Sequence, residues 1–235
     1  MIDSNVNIII DNDMYILHFN CKYIYKYILI YIRMAQIISI EGNIGSGKST
    51  LVNYLKNTLD KDKYVFVDEP VNTWQSITDN EGVDIISKFY EDQQKYAFSF
   101  QMLAYISRIS AIKKVINKGK IVITERCVNT DKEVFAKMLY DDKLIEDINY
   151  KIYNMWFDEF NKDIKVDKIV YLQTDPVLCS QRIKQRNREG EDISLDYLCK
   201  CHNYHEDWIS NIPNKIILDG KMQTQELPIH EIVKL

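Results

Sequence analysis

The sequence predicts an α/β fold in which helices flank both faces of a five-stranded parallel sheet. Five short apolar runs rich in β-branched and aromatic residues lie along the chain, at residues 35–40, 64–67, 121–124, 169–172 and 216–218. Each run is apolar on both faces, which is typical of a parallel strand covered by helices. Segments with helical spacing separate the runs, and strands that alternate with helices indicate a doubly wound sheet.

The first predicted strand leads into a phosphate-binding loop. Residues 42–50 read G-N-I-G-S-G-K-S-T and fit the pattern G-x-x-x-x-G-K-[ST]. Its glycines let backbone N–H groups turn around an anion, Lys48 can reach terminal phosphates, and the Ser49 hydroxyl can ligate Mg²⁺. A strand precedes the loop and a helical segment follows it. We therefore predict phosphate binding by Gly42, Asn43, Ile44, Gly45, Ser46, Gly47, Lys48, Ser49 and Thr50.

Charged residues follow the second and third strands. Glu69 precedes Pro70, so its backbone is extended, and its carboxylate can accept a proton from an attacking hydroxyl; a solvated loop residue is the alternative. Glu125 can hold Mg²⁺ together with Ser49, and Arg126 can orient a nucleophile or neutralise phosphoryl charge; a strand-end ion pair is the alternative. Because ligands bind at the carboxyl ends of parallel strands, these side chains predict a site at that edge.

Two long helices are predicted, at about residues 85–117 and 144–161. By spacing, one face of the first carries Tyr90, Ala97, Gln101, Ala104 and Arg108. A phenol, an amide and a guanidinium beside two small alanines indicate a pocket wall, whereas a partly exposed face is the alternative. Beyond the fourth strand, a basic run begins at Arg182 and leads into an acidic loop. A solvated helix face is the common meaning of such a run, but beside a phosphate-binding loop it also predicts a lid over about residues 182–192.

Composition limits the functional classes. The chain has 235 residues, enough for one such domain, and its net charge of −4 argues against nucleic-acid or membrane-surface partners. Its five cysteines show no disulfide-scaffold spacing, which indicates a reducing, cytoplasmic compartment. Asp3, Asp11 and Asp13 make a mitochondrial presequence the weaker alternative.

The first 33 residues show no clear helical or strand period. Residues 24–32 are apolar but too few for a transmembrane helix. Because Met34 directly precedes the first strand, we predict that residues 1–33 are an extension, disordered or not native, and that residues 34–235 form the domain.

Taken together, the motifs resemble the deoxyribonucleoside kinases of the deoxycytidine/deoxyguanosine kinase type. The resemblance covers residues 37–218 and rests on residues 40–50, 69–71 with Trp74, 98–101, 125–126, 182–188 and 205–208. It implies a P-loop kinase with a short lid that acts as a homodimer. It also implies transfer of the γ-phosphoryl group of ATP, with Mg²⁺, to the 5′-hydroxyl of a deoxynucleoside.

The resemblance also implies roles for individual residues. Glu69 matches the general base, Arg126 the arginine that holds it and the 5′-oxygen, and Glu125 the carboxylate near Mg²⁺ or, alternatively, the proton acceptor. Tyr90 and Glu191 match the pair that binds the sugar 3′-hydroxyl. The base pocket is matched by Gln101, Phe135 and Trp74, and the lid arginines by Arg186 and Arg188; Arg182, at the start of the basic run, is predicted to bind phosphate with them. Two departures stand out: Cys127 replaces the usual serine, and the loop after Arg188 is one residue shorter.

Arg108 and Asp131 match positions that carry the same residues in deoxycytidine and deoxyguanosine kinases. An aspartate at the base edge accepts a hydrogen bond from an exocyclic amine and is repelled by the carbonyl of thymine. A mismatched buried contact costs about 1–3 kcal/mol. We therefore predict that deoxycytidine and purine deoxynucleosides are preferred to thymidine.

Two alternative functions remain. A nucleoside monophosphate kinase, thymidylate kinase included, shares the sheet and the loop but needs extra cations for the acceptor phosphate. A non-catalytic structural relative is the other, although it has no chemical need for Lys48, Ser49, Glu69 and Arg126 together. The preferred base among C, A and G and the preferred phosphate donor stay open, and the donor base is expected near residues 219–220.

Overall fold

The computed structural model describes residues 6–11, 14–19, 36–116, 119–188 and 192–234. The strands are β1 Val6–Asp11, β2 Met14–Phe19, β3 Ile37–Glu41, β4 Tyr64–Val67, β5 Ile121–Glu125, β6 Lys168–Gln173 and β7 Lys215–Asp219. The helices are α1 Lys48–Thr58, α2 Val71–Gln75, α3 Ile85–Glu91, α4 Gln93–Lys113, α5 Val128–Thr130, α6 Lys137–Asp141, α7 Asp147–Phe160, α8 Pro176–Arg186, α9 Leu195–Ser210 and α10 Ile229–Ile232. A π-helical segment, Asp131–Ala136, joins α5 to α6, and a 3₁₀ turn covers Thr224–Glu226.

The predicted five-stranded parallel sheet is confirmed. Its strand order is β4-β5-β3-β6-β7, and every neighbouring pair is parallel. The central strand β3 is buried along its whole length and alternates between two cores. Ile38 and Ile40 pack with the apolar side of α1, whereas Ile37 packs on the opposite face with residues of α4 and α7. Helices therefore cover both faces, which is why all five strands are apolar on both sides.

The long helix predicted over residues 85–117 is wrong, because the chain breaks at Asp92. This residue has φ −144° and ψ 83°, and its side chain accepts a hydrogen bond from the Lys95 backbone N–H at 3.1 Å. Asp92 therefore ends α3 and caps α4, as short acidic side chains do when they compete with the helix backbone. Asn117, the predicted end, lies outside the described residues. The second long helix begins at Asp147, three residues later than predicted.

The amino-terminal segment contains two strands that lie outside the main sheet. Strands β1 and β2 pair antiparallel in a separate two-stranded sheet, although residues 1–33 show no strand period. Isoleucine, tyrosine and other strand-forming residues fill both segments without alternating, which explains why the periodicity misses them. The proposed boundary at Met34 lies outside the described residues and stays a prediction. Within the described ranges, no helix has the length and hydropathy needed to cross a membrane.

Candidate active site

The carboxyl ends of β3, β4 and β5 open into a cavity of about 970 Å³. Most side chains that the sequence singles out line it: Ile44, Gly45, Ser46, Gly47, Lys48, Ser49, Thr50, Glu69, Trp74, Tyr90, Gln101, Arg108, Glu125, Arg126, Asp131, Phe135, Arg182, Arg186 and Arg188. Gly42 and Asn43 lie behind this lining. Glu191 lies outside the described residues, so its predicted contact with the sugar stays a prediction.

The loop between β3 and α1 has the backbone of a phosphate cradle. Gly45 has φ +77°, and a Cβ there would lie 2.6 Å from the Cys179 carbonyl oxygen, so only glycine fits. Lys48 is buried and donates to the Asn43 carbonyl oxygen at 2.7 Å. Burial, and next the neighbouring Arg126, lower the pKa of Lys48 to about 8, against an opposing effect of nearby carboxylates. The Asn43 amide in turn donates to the Leu198 carbonyl at 2.8 Å and fixes the loop to α9.

Ser49 and Glu125 meet at the base of the cavity. The Ser49 hydroxyl donates to Glu125 Oε1 at 2.8 Å, and the Glu125 side chain is nearly buried. In the part of the chain that is described, no group of three histidine, cysteine or acidic side chains is placed to hold a metal ion. Two oxygen ligands nevertheless fit Mg²⁺, which keeps several waters and binds through one or two protein groups plus substrate phosphates.

Glu69 is held by two arginines. Its Oε1 accepts from Arg126 Nη1 at 2.5 Å and from Arg108 Nη2 at 3.2 Å. Burial raises the pKa of Glu69, but Arg126, Arg108 and Lys48 together outweigh it and bring the pKa to about 2. The carboxylate is therefore ionised at neutral pH, and it faces the cavity with 18% of its side chain exposed.

Arg126 reaches Glu69 from an unusual backbone conformation. Its φ is +61°, in the left-handed region, which costs a non-glycine residue about 1–3 kcal/mol. Hydrogen bonds hold its backbone on both sides: its N–H donates to the Ile40 carbonyl at 3.0 Å, and its carbonyl accepts from the Thr124 hydroxyl at 2.8 Å. The guanidinium also donates to the Gly42 carbonyl at 3.3 Å and lies 5.2 Å from the centre of the Phe135 ring. Strand β5 thus ends by aiming a cation at Glu69 in the cavity.

Arg108 is fully buried and donates hydrogen bonds to three groups among the described residues. It donates to Asp131 Oδ2 at 2.8 Å, to the Glu125 backbone carbonyl at 2.8 Å and to Glu69. The sequence analysis places Arg108 and Asp131 beside the edge of the base. It does not predict the contact of Arg108 with Glu69. Asp131 begins the π-helical segment that also carries Phe135, and this wider turn brings both side chains to the cavity wall. Burial raises the pKa of Asp131, and Arg108 opposes this shift.

An aromatic wall closes the far side of the cavity. The Trp74 indole N–H donates to the Ser107 hydroxyl at 2.8 Å, and its ring packs edge-on against Phe100 at 5.4 Å. Tyr90 reaches this wall from α3, not from the face of a single long helix. Gln101 Oε1 is buried and accepts no hydrogen bond from the described residues, so this amide is suited to a ligand's donor.

The arginines of the basic run on α8 lie in two different environments. Arg182 donates to the Ser46 carbonyl at 2.8 Å and to the Gly220 carbonyl at 2.8 Å, so it braces the phosphate loop against the turn after β7. Its predicted contact with phosphate stays a prediction. The side chains of Arg186 and Arg188 are exposed at the end of α8 and line the cavity. The predicted lid stays a prediction.

Sequence reasoning assigned no role to Tyr197 or Glu41, and it expected Gly220 only near the donor base. Tyr197 lines the cavity from α9, and its place in that helix carries no sequence signal for a ligand contact. Gly220 also lines it, and a Cβ there would collide with the Thr174 hydroxyl at 1.8 Å. Glu41 is a fully buried carboxylate at the end of an otherwise apolar strand, and this break in the pattern was the available signal.

Comparisons with known proteins agree with this geometry. The sequence model of the deoxynucleoside kinase family matches residues 38–233. The chain is 40% identical over 178 residues to a probable deoxycytidine kinase of Fowlpox virus, covering 74% of this chain and 71% of the relative. It is 34% identical over 216 residues to deoxycytidine kinase of Homo sapiens, covering 82% and 81%. It is also 32% identical over 203 residues to a putative kinase of Invertebrate iridescent virus 3, covering 86% and 96%.

Proposed function

The chain belongs to the deoxynucleoside kinase family, and from this premise we propose that it transfers the γ-phosphoryl group of ATP to the 5′-hydroxyl of deoxyribonucleosides. The preferred acceptors are deoxycytidine, deoxyadenosine and deoxyguanosine rather than thymidine, and the products feed nucleotide salvage. The observation that carries this proposal is the Glu69 carboxylate, held by Arg126 and Arg108 in the same cavity as the phosphate loop.

In the proposed reaction, the 5′-hydroxyl gives its proton to Glu69 while its oxygen bonds to the γ-phosphorus. The bond between that phosphorus and the bridging oxygen breaks, and ADP leaves. With a pKa of about 2, Glu69 is a weak base, which suits a loose transition state in which the proton leaves late. Lys48 and the loop N–H groups neutralise charge on the phosphates, and Arg126 orients Glu69 and the attacking oxygen.

Ser49 and Glu125 are the groups that would hold Mg²⁺, through their hydrogen-bonded oxygens. When bound there with ATP, the ion neutralises charge on the phosphates. The alternative role of Glu125 as proton acceptor is less well supported, because its side chain points to Ser49 on the donor side. Glu69 instead lies beside the two arginines of the acceptor side.

Base preference is assigned to the buried pair of Arg108 and Asp131. With Arg108 on one side of it, the Asp131 carboxylate presents acceptor capacity toward the cavity and favours bases that carry an exocyclic amine. The unpartnered Gln101 Oε1 supports the same assignment, because it can accept from such an amine. The relatives that are named deoxycytidine kinases agree with this preference.

We further propose a homodimer built on α7. One face of this helix carries exposed apolar side chains at i, i+4, i+7, i+8 and i+12. They are Ile148, Ile152, Met155, Trp156 and Phe160. Ile106 of the packed helix α4 is exposed as well. Such a stripe on a folded domain marks an interaction surface. The four described cysteines are free, which supports a reducing, cytoplasmic location.

The test is product analysis after incubation with MgATP and, separately, each common deoxynucleoside and each matching monophosphate. We expect monophosphates from deoxycytidine, deoxyadenosine and deoxyguanosine and little from thymidine. Thymidine as the best acceptor would overturn the base preference while keeping the enzyme class. Diphosphates made only from monophosphates would support the nucleoside monophosphate kinase alternative. Undetectable binding of MgATP would support a non-catalytic relative.

A further inference from the structure

Glu41 is a buried carboxylate that lies behind the site rather than in it. It ends the central strand β3 and is 0% exposed, and it does not line the cavity. Burial of a carboxylate is costly unless hydrogen bonds replace its water. The three donors it has among the described residues are all neutral: the Ser39 hydroxyl at 2.5 Å, the Cys127 N–H at 2.9 Å and the Thr130 hydroxyl at 2.6 Å.

Two of these donors belong to the turn that follows Arg126. Cys127 is the next residue in the chain, and Thr130 lies one helical turn further on. The Cys127 N–H donates to Glu41 Oε1, and the Thr130 hydroxyl donates to Oε2, so both carboxylate oxygens hold this turn. Cys127 stands at the start of α5, and its own side chain makes no capping bond there. Glu41, on the neighbouring strand, accepts the hydrogen bond of the Cys127 backbone N–H.

A left-handed residue such as Arg126 persists only where its surroundings fix it. Three successive backbone groups are fixed here: the Arg126 N–H by the Ile40 carbonyl, the Arg126 carbonyl by the Thr124 hydroxyl, and the Cys127 N–H by Glu41. The first of these bonds joins two backbone groups at the ends of β3 and β5, whereas the second and third come from side chains, the Thr124 hydroxyl and the Glu41 carboxylate. Of these two side chains, Glu41 is the one that binds the turn beyond Arg126, at both Cys127 and Thr130.

We propose that Glu41 is a positioning residue: its carboxylate holds the left-handed turn at Arg126 so that the guanidinium meets Glu69. This inference rests on the roles given to Glu69 and Arg126 in the proposed function. Glu41 touches neither substrate, so its loss changes kcat through Arg126 and leaves the binding of ATP little affected.

The direction in which the pKa of Glu69 shifts distinguishes two effects of replacing Glu41: displacement of Arg126 and loss of the Glu41 charge. Among the described residues, the cations that act on Glu69 are Arg126 at the end of β5, Arg108 on α4 and Lys48 at the start of α1. The Asp131 carboxylate of the π-helical segment repels it. Removal of the negative charge of Glu41 would, by itself, lower the pKa of Glu69. Displacement of Arg126 would raise it, because burial then acts with less opposition. An upward shift therefore reports a moved guanidinium.

Two substitutions test the proposal. Glu41→Met keeps the volume and removes every acceptor, whereas Glu41→Gln removes the charge but keeps one oxygen for the Cys127 N–H. The matched control is Glu206→Gln on α9, which alters a carboxylate that accepts from the Tyr171 hydroxyl at 2.8 Å on the neighbouring strand and does not line the cavity. The readouts are kcat and KM for deoxycytidine and ATP, and a carboxyl ¹³C titration of Glu69 without substrates.

We expect Glu41→Met to lower kcat by about 100-fold, as small misplacements of catalytic groups do, and to raise the pKa of Glu69. Glu41→Gln should recover at least about tenfold of that loss, and Glu206→Gln should resemble the wild type. Equal losses in Glu41→Gln and Glu41→Met, a kcat of Glu41→Met within twofold of the wild type, or a loss without the upward pKa shift would overturn the proposal.

A variant that does not fold and a wild type without kinase activity call for different measurements. If Glu41→Met does not fold, Thr130→Val removes the hydroxyl that holds the second carboxylate oxygen, and the same kcat loss and upward pKa shift are required of it. If the wild type does not phosphorylate deoxynucleosides, the proposed function fails. The ¹³C titration still decides the positioning role in that case, because it needs no substrate.

Discussion

At the scale of single residues, the site is a small network in which each cation has more than one task. Arg126 holds Glu69 and the phosphate-loop carbonyl of Gly42, and Arg108 joins Glu69 to the Asp131 carboxylate. In the proposed function Arg108 therefore spans both ends of the acceptor, so that recognition of the base and orientation of the catalytic carboxylate share one side chain. A change in base preference is therefore expected to alter the rate as well.

Replacement of Glu69 tests its role as the base. We predict that Glu69→Gln lowers kcat by about 10²–10⁴-fold, because the 5′-hydroxyl loses its proton acceptor. Glu91→Gln, at an exposed glutamate of α3, is the control and should keep the wild-type rate. Since the arginines and Lys48 outweigh burial and bring the pKa of Glu69 to about 2, the wild type should show no acidic limb from this group above about pH 4. A limb near neutral pH that disappears in Glu69→Gln would contradict this assignment.

Deprotonation of Lys48 is expected to weaken ATP binding at high pH. Its pKa is lowered, chiefly by burial, from 10.5 to about 8, so the free enzyme loses this charge as the pH rises through about 8. Phosphates favour the charged form. We therefore predict that ATP binds with uptake of a proton and more weakly above that pH, as measured by calorimetry in buffers of different ionisation enthalpy. The Lys48→Arg variant should lose the effect, because an arginine stays charged. Binding that is independent of pH from 7 to 9.5 would contradict the prediction.

The double change Arg108→Met, Asp131→Ala tests base selection. We predict that it raises the ratio of kcat/KM for thymidine to that for deoxycytidine by roughly 5–150-fold, because the mismatch with the thymine carbonyl is removed. Absolute rates should fall with both acceptors, since Arg108 also contacts Glu69. The comparison is made with both nucleosides on the same preparation. An unchanged ratio would show that other residues select the base.

At the scale of elements, the sequence predicted the strands and the phosphate loop, whose residue patterns follow directly from their packing and backbone geometry. All five parallel strands were found because burial on both faces leaves a plain apolar signal, and the phosphate loop was found because few sequences fit its backbone. The break at Asp92 was missed, since a side-chain cap replaced helix bonds without changing the apolar period. The left-handed Arg126 and the wider turn after Asp131 were missed because tertiary hydrogen bonds stabilise them. Tyr90 reaches the cavity although the spacing argument that pointed to it was wrong.

Gly45 of the phosphate loop and Gly82 allow a matched test of whether the close contact at Gly45 excludes a side chain. Gly45 and Gly82 both have positive φ, +77° and +84°, but only at Gly45 would a Cβ meet another atom within 4 Å. We predict that Gly45→Ala weakens ATP binding by at least about tenfold, because the loop or α8 must move. Gly82→Ala should lower stability by about 1 kcal/mol with unchanged ATP affinity. Equal effects of the two changes on ATP affinity would contradict the role of the close contact at Gly45.

At the scale of the whole molecule, the cavity and the apolar stripe on α7 use different faces of the same helix layer. Tyr105 of α4 donates to the Trp156 carbonyl of α7 at 3.2 Å and packs in the core, whereas Ile106 and Met155 remain exposed. In the proposed dimer, a second copy of the chain would cover Met155, whose side chain is otherwise 69% exposed. An interface on α4 would also rigidify the helix that carries Gln101 and Arg108.

Charge placed on the stripe tests the proposed dimer. We predict that Met155→Glu converts a dimer into a monomer, since burying an unpaired carboxylate opposes association. Sedimentation velocity of the purified protein is the measurement. Ile77→Glu is the matched control, because Ile77 is an exposed isoleucine outside the stripe, and this variant should stay dimeric. A monomeric wild type would contradict the interface.

The most direct test of the central claim is the identity of the product formed from deoxycytidine and MgATP. Mass spectrometry with ³¹P NMR shows which oxygen carries the new phosphate, and the Glu69→Gln variant shows whether the reaction depends on the proposed base. We expect deoxycytidine 5′-monophosphate and one ADP per turnover, with the rate lost in the variant. No reaction with deoxycytidine, together with a diphosphate formed from deoxycytidine monophosphate, would contradict it.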